Sequence, residues 1–313
     1  MYIYENYVID APERKKANFK IVPFLESDIA ANRKLYNGSD LDSYFTRKFP
    51  YHRLLYTERG RSGIPEILRA LKLQKEAVVT ILTTTNNFYI SSCVTREIET
   101  ICRWSRSITE ETKAILVNHE FGYCYEDLTA LKQYGLPIIE DFAHSFSAQN
   151  STNTQGTIGD FLIFSFSKFF PIQIGGALLY RPNYNIAETI NSHVKCYIKN
   201  IVGSHLKDIK TIEQKRLENY FYLKKLFDTL NCYVYFQPTK GFVPAVFMFR
   251  PPEHVDLLKL KEFMNAQGVE SSVFYGEHAY FIPSHQNFSK EDLFFFYTLV
   301  KYFLQQNTTK ALP

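Results

Sequence analysis

Lys168 follows the apolar run FLIFSF (161–166) with only Ser167 between them. A lysine just past a hydrophobic strand is desolvated, which lowers its pKa and frees the amine for covalent chemistry with carbonyl groups. Surface lysines also follow strands, so its neighbours decide its meaning. Ser165, three residues earlier on the same turn, offers a hydroxyl to a phosphate. Upstream, PIIEDFAHS (137–145) ends an apolar run on Asp141, with His144 close behind. An acid at the C-terminal end of a parallel strand faces the crevice where open α/β sheets bind ligands. Buried there, it would keep a cationic ring nitrogen protonated. A helix N-cap is the plainer use of such an Asp, and His144 alone reads as a structural histidine. Arg59-Gly60-Arg61-Ser62-Gly63 precedes a helical pattern. Helix-start N–H groups, glycines and a cation suit a phosphate, although an ordinary helix start has the same look. Gly175-Gly176, seven and eight residues beyond Lys168, allows a close backbone approach before the next strand.

These residues need a scaffold, and the chain between them is regular. Apolar positions at helical spacing predict a helix over 64–73, with Pro65 tolerated in its first turn. Short continuous apolar runs predict strands at 77–82, 113–118, 137–141, 161–166 and 176–180, and helices are expected at 91–104 and 125–134. Helices alternating with buried strands indicate a parallel or mixed sheet covered on both faces. After 186 the pattern changes: a long helix at 207–230, strands at 243–250 and 269–274, and helices at 255–267 and from 289. Ser289 and Asp292 give the last helix a capping-box start. Residues 1–55 are polar and Tyr-rich with no clear pattern. The expected organisation is an N-terminal segment (1–55), a large α/β domain (56–205) and a smaller α+β C-terminal domain (206–313).

Taken in order, IIEDFAHSF, GTIGD, FSFSK and IGGALLY resemble the signature of the DegT-type sugar aminotransferases, a family of fold-type-I pyridoxal-phosphate (PLP) enzymes. The likeness extends to GRSGIPEILRALKL, to VNHEFGY at 117–123 and to YFIPSHQNFSKEDL at 280–293. It implies the fold-type-I PLP-transferase fold, with a mostly parallel central sheet flanked by helices. It also implies that Lys168 forms the internal aldimine and moves the proton, while Asp141 pairs with the pyridine nitrogen. His144 would sit near the ring hydroxyl, and Ser165 would hold phosphate together with Gly60, Arg61 and Ser62. Tyr89 or Phe88 would cover the ring face. The implied partners are an amino donor, glutamate, a nucleotide-linked keto-sugar acceptor and a second copy of the chain in a homodimer. Three departures stand beside the likeness. One residue, not three, separates FSF from Lys168; Arg61 and His144 replace the usual Thr and Gln; and RPNYNIAET only faintly echoes the family's Asn-Tyr-Arg segment. They leave two alternatives: a PLP enzyme of another reaction type, such as a dehydratase or one with a non-sugar acceptor, and a degenerate PLP fold that binds or scaffolds without catalysis.

Composition narrows the field. The 36 Lys and Arg against 32 Asp and Glu leave a net +4 with no block of like charge, which argues against a polyanion-binding tail. No basic stripe with interleaved aromatics suggests nucleic acid. Five scattered cysteines without a C-x-x-C pair speak against a disulfide framework or structural zinc, and are expected to be buried thiols in a reducing compartment. With no signal-like N-terminus and no apolar run of membrane length, a soluble cytoplasmic protein is expected. The 27 Phe and 22 Tyr exclude disorder, and most are expected to pack cores or interfaces.

Overall fold

The computed structural model describes residues 2–4, 7–9, 17–36 and 39–308. A short antiparallel hairpin, β1 (Tyr2–Tyr4) and β2 (Tyr7–Ile9), comes first. Helices α1 (Asp28–Asn32) and α2 (Ser39–Lys48) lead to strand β3 (Arg53–Thr57), a 3-10 turn at Gly60–Ser62 and helix α3 (Gly63–Ala70). Next are β4 (Val78–Thr83), α4 (Ser92–Glu99), β5 (Arg103–Ser105) and β6 (Thr112–Asn118). A 3-10 segment (Leu128–Tyr134) precedes β7 (Ile138–Asp141) and β8 (Phe161–Ser165). The 3-10 turn Phe166–Lys168 then leads to β9 (Gly176–Tyr180), α5 (Ser192–Leu206) and α6 (Ile209–Asp228). The remainder is β10 (Tyr233–Val234), β11 (Val246–Arg250), α7 (Leu257–Ala266), β12 (Ser272–Val273), β13 (Tyr280–Pro283) and α8 (Lys290–Thr308).

Two compact units result. The larger comprises Phe24–Lys210 with Thr239–Val243; the smaller comprises Met1–Pro23, Thr211–Pro238 and Pro244–Pro313. The larger holds a seven-stranded sheet in the order β3-β9-β8-β7-β6-β4-β5. Strands β4 to β8 run parallel, and β9 lies antiparallel between β8 and β3. Because both faces are covered, the central strands are largely apolar. Alternate residues of β6 serve opposite faces: Ala114 and Leu116 join α3 and α4, while Ile115 and Val117 join Leu128 and Leu131. Ile64, Ile67 and Leu68 of α3 are each at most 1% exposed. Each such side chain contributes roughly 1.5–3 kcal/mol by leaving water, and this burial holds the start of α3 against the sheet.

Many phenylalanines of this unit form one cluster. Phe45 of α2 lies 5.2 Å from Phe164, Phe142 stacks on Phe164 at 4.9 Å, and Phe146 meets Phe170 edge-on at 4.9 Å. Part of the aromatic excess therefore packs the strand and turn that carry Lys168.

The smaller unit is an antiparallel sheet, β10-β11-β13-β12, with α7 and α8. The expected capping box forms at α8: Ser289 N–H donates to Asp292 Oδ2 at 2.9 Å, and Asp292 N–H donates to Ser289 Oγ at 3.1 Å. Among the described residues no helix is long and apolar enough to cross a membrane.

Several elements differ from the sequence reading. The helix expected over 91–104 stops at Glu99, and Arg103–Ser105 instead pairs with β4 as an edge strand, with Cys102 buried in the core between them. In place of the helix expected over 125–134 there is only a 3-10 segment, Leu128–Tyr134, ended by left-handed Gly135. Helix α5 was not anticipated, although Asn191 caps it by accepting from the His193 and Val194 N–H groups. Helix α2 and strand β3 lie in the segment that showed no pattern. Cys93 and Cys196 are exposed, not buried.

Candidate active site

Asp141 ends β7, in register with Asn118 of β6 and Ile163 of β8, so it stands at the C-terminal edge of the parallel strands. It is 4% exposed. Its Oδ1 accepts from the Ala143 N–H at 2.9 Å and its Oδ2 from the Asn118 side-chain amide at 3.3 Å. Burial pushes its pKa up against the lowering effect of these donors and of His119. A carboxyl held this way by two neutral donors is short of positive charge.

Its neighbour Glu140 lies on the opposite face of the strand and closes a different corner. It accepts from His119 Nε2 at 3.0 Å, from Gly156 N–H at 2.8 Å and from Gly159 N–H at 2.7 Å. His119 Nδ1 accepts from the Tyr125 N–H, so the ring proton lies on Nε2 and points at Glu140. A Cβ on Gly159 would come within 2.8 Å of Glu140 Oε1. Asp160 then fastens the start of β7: its Oδ2 accepts from Ile138 N–H, and its own N–H donates to Ile138 O. The GTIGD segment is thus a lock that sets the start of β8, the strand that pairs with β7 and ends at Ser165.

Lys168 closes the 3-10 turn directly after β8, between buried Phe166 and Phe169, and is itself half-buried. Phe166 N–H donates to Gly175 O at 2.9 Å, and Gly175 N–H donates to Glu58 O at 2.6 Å. The shortened turn is therefore a closed loop, pinned at both ends. Ser165 pairs with Gly176 across β8 and β9. A Cβ on Gly176 would lie 2.5 Å from the Gly60 nitrogen, and one on Gly60 would lie 3.0 Å from Ser165 Cβ. Only glycine permits this approach, so Gly60, Ser165 and Gly176 converge at the start of α3. Ser62 N–H donates to Arg59 O inside the same turn. Arg61 leans on α4: its Nη1–H donates to Cys93 Sγ at 2.9 Å, and its Nε lies 3.7 Å from Glu97.

Phe88 and Tyr89 leave a turn that follows β4. Phe88 is 78% exposed, with the Arg106 guanidinium 5.8 Å from its ring centre; Tyr89 is half-buried, and its N–H donates to Asn87 Oδ1. The ring of His144 sits 5.0 Å from Phe121, a bulky residue held at φ 50°. That left-handed conformation is costly for such a residue and marks a constrained loop. Gly122 N–H donates to Ser145 Oγ, and Ser145 Oγ–H donates to His119 O, tying this loop to the turn that carries His144. No sequence pattern assigns a role to Asn118, His119, Glu120 or Arg106, although the first three lie in VNHEFGY.

Asp141, Ser165, Lys168 and Gly175-Gly176 fall within a single stretch of known sequence type. Residues 100–193 match the DegT/DnrJ/EryC1/StrS aminotransferase family. An uncharacterized protein of Methanocaldococcus jannaschii is 41% identical over 88 residues, which are 27% of this chain and 23% of that protein. The chain thus spans about a quarter of the curated relative it matches. Among solved structures, the aminotransferase TlmJ from Streptoalloteichus hindustanus superposes with a TM-score of 0.76 at 16% identity, covering 93% of this chain and 100% of that one. Spr1654 from Streptococcus pneumoniae in its PLP form gives 0.73 at 15% identity, covering 93% and 99%. The Escherichia coli GDP-4-keto-6-deoxy-D-mannose-3-dehydratase with bound hydrated PLP gives 0.65 at 15% identity, covering 91% and 99%. At these identities the structures establish the fold, the expected fold-type-I PLP-transferase architecture.

Proposed function

We propose that this chain is a PLP-dependent aminotransferase that moves an amino group, with glutamate as donor, onto a nucleotide-linked keto-sugar. The observation that carries the reading is Asp141: a buried carboxyl with neutral donors, at the end of the strand next to β8, which ends at Ser165 and leads into the turn of Lys168. Such a carboxyl is suited to a cation, and a protonated pyridine nitrogen supplies one, so the residues present fit the cofactor. Bound there, the cofactor supplies an electron sink for the carbanion formed next to the transferred nitrogen. Asp141 keeps the ring nitrogen protonated. Ser165, together with Gly60, Arg61 and Ser62 at the start of α3, takes the phosphate, and His144 takes the ring hydroxyl. Lys168 provides the amine that holds the cofactor and then carries the proton between carbon atoms. Phe88 or Tyr89 covers the ring face. A homodimer in the cytoplasm completes the proposal.

The test is a half-reaction. With PLP bound, one equivalent of glutamate per chain should yield one equivalent of 2-oxoglutarate, and a screen of keto acceptors should then return the amine. Acceptor turnover with no 2-oxoglutarate formed would favour dehydration, the activity named for the E. coli neighbour.

A further inference from the structure

Glu120 lies two residues beyond Asn118, which itself donates to Asp141, and is 3% exposed. Its Oε2 accepts twice from one residue: the Thr85 N–H at 2.7 Å and the Thr85 hydroxyl at 2.7 Å. The adjacent Thr84 completes the stitch. Its Oγ1 accepts from the Glu120 N–H at 3.1 Å and donates to Tyr123 O at 2.8 Å. On the other side of the same turn, Arg106 donates to Ile81 O, to Thr83 Oγ1 at 3.2 Å and to Asn87 O at 2.6 Å. Residues 83–87, with Asn86 at φ 59°, are thus held between one acid and one base. The residues that follow immediately are Phe88 and Tyr89.

We propose that Glu120 is a positioning residue: with Arg106 it clamps the 83–87 turn and thereby places the aromatic ring that covers the cofactor. The inference rests on the PLP reading of the site. An acid here brings a burden, since burial pushes its carboxyl up to about 7 even though Thr85 and Arg106 pull it down. Every side-chain hydrogen bond seen for Glu120 goes to this turn. A buried acid kept at such expense is better explained by the geometry it enforces than by stability.

The test uses the full chain and the variants Glu120→Ala, Glu120→Gln and Thr85→Val. Amide hydrogen exchange is read without cofactor, and PLP affinity is read by fluorescence titration. In Glu120→Ala, exchange at 84–89 should rise about tenfold while amides of β6, β7 and β8 keep their rates, and PLP should bind about tenfold more weakly. Glu120→Gln, which can still accept from Thr85, should restore both to within about threefold. Thr85→Val removes one of the two bonds to Glu120, together with the Asn87 N–H contact to the same hydroxyl, and should give an intermediate effect even if the alanine variant fails to fold. Unchanged exchange at 84–89, an even rise across β6 to β8, or no rescue by glutamine would each overturn the clamp. Failure of the unmodified protein to bind PLP would instead overturn the cofactor reading, and the exchange result would then decide whether the clamp exists.

Discussion

Glu140 and Asp141 are consecutive, both buried, and on opposite faces of one strand, yet their surroundings differ in kind. Glu140 is met by a histidine N–H and two glycine N–H groups on a loop shaped to bring them there. Asp141 is met by one backbone N–H and one side-chain amide at 3.3 Å, and its pKa is driven up by burial. The first corner is complete within the chain. The second carries fewer donors, and under the proposal its missing partner is the cofactor. On that reading full satisfaction marks the scaffold, and partial satisfaction marks the site.

The largest effect should come from breaking the complete corner. Glu140→Ala leaves His119 and two N–H groups buried without their acceptor, and should lower unfolding stability by about 3–5 kcal/mol in urea titrations without cofactor. A loss below about 1 kcal/mol would mean that the corner is not the lock described.

Asp141→Asn should behave in the opposite way. PLP should bind about a hundredfold more weakly, while the cofactor-free fold should be at least as stable as the parent at pH 8. The sign follows from the raised pKa. An acid whose folded pKa lies above its unfolded value favours the fold most at low pH, and loses that advantage as pH rises from the ordinary carboxylate range through the raised value. An amide has nothing to lose over that window. A stability loss as large as that of Glu140→Ala would erase the contrast between the two residues.

Glu120 sharpens the comparison through pH. Its carboxyl shifts from 4.5 to about 7 in the fold, with burial the first cause and Arg106 the charged neighbour. Relative to Glu120→Gln, the parent should therefore lose about 3 kcal/mol between pH 4.5 and 7.5, with little further change above. Thermal melts of the two proteins across that range would show it.

The smallest effect is expected at the phosphate end. Gly60→Ala would bring a Cβ within 2.9 Å of the Phe164 carbonyl oxygen, pushing the start of α3 away from Ser165. PLP affinity should fall about fivefold to tenfold with the visible band unchanged in shape, as read by absorption titration.

The central strands were legible because burial on both faces makes them continuous apolar runs, as in 113–118 and 161–166. The order of Asp141, Ser165, Lys168 and Gly175-Gly176 along the chain was legible for the same reason, since each follows or precedes such a run. Asp141 stood out through its place at the end of an apolar run, and the resemblance gave it a role; its contrast with Glu140 was not legible, because two adjacent acids look alike without a partner strand. Asn118, Glu120 and Arg106 stayed hidden because their contacts join residues 19 to 36 positions apart across strand register, which no local periodicity encodes. Helix α2 escaped for a related reason: Phe45 and Phe49 acquire their meaning only against Phe164.

The most direct measurement is the absorption spectrum of the purified chain titrated with PLP, run beside Lys168→Ala and Asp141→Asn. The expected result is a visible band at one equivalent per chain that Lys168→Ala abolishes and Asp141→Asn shifts or weakens. A parent protein that shows no band at saturating cofactor, or a band unchanged in Lys168→Ala, would contradict the assignment of Lys168 and Asp141 to cofactor chemistry.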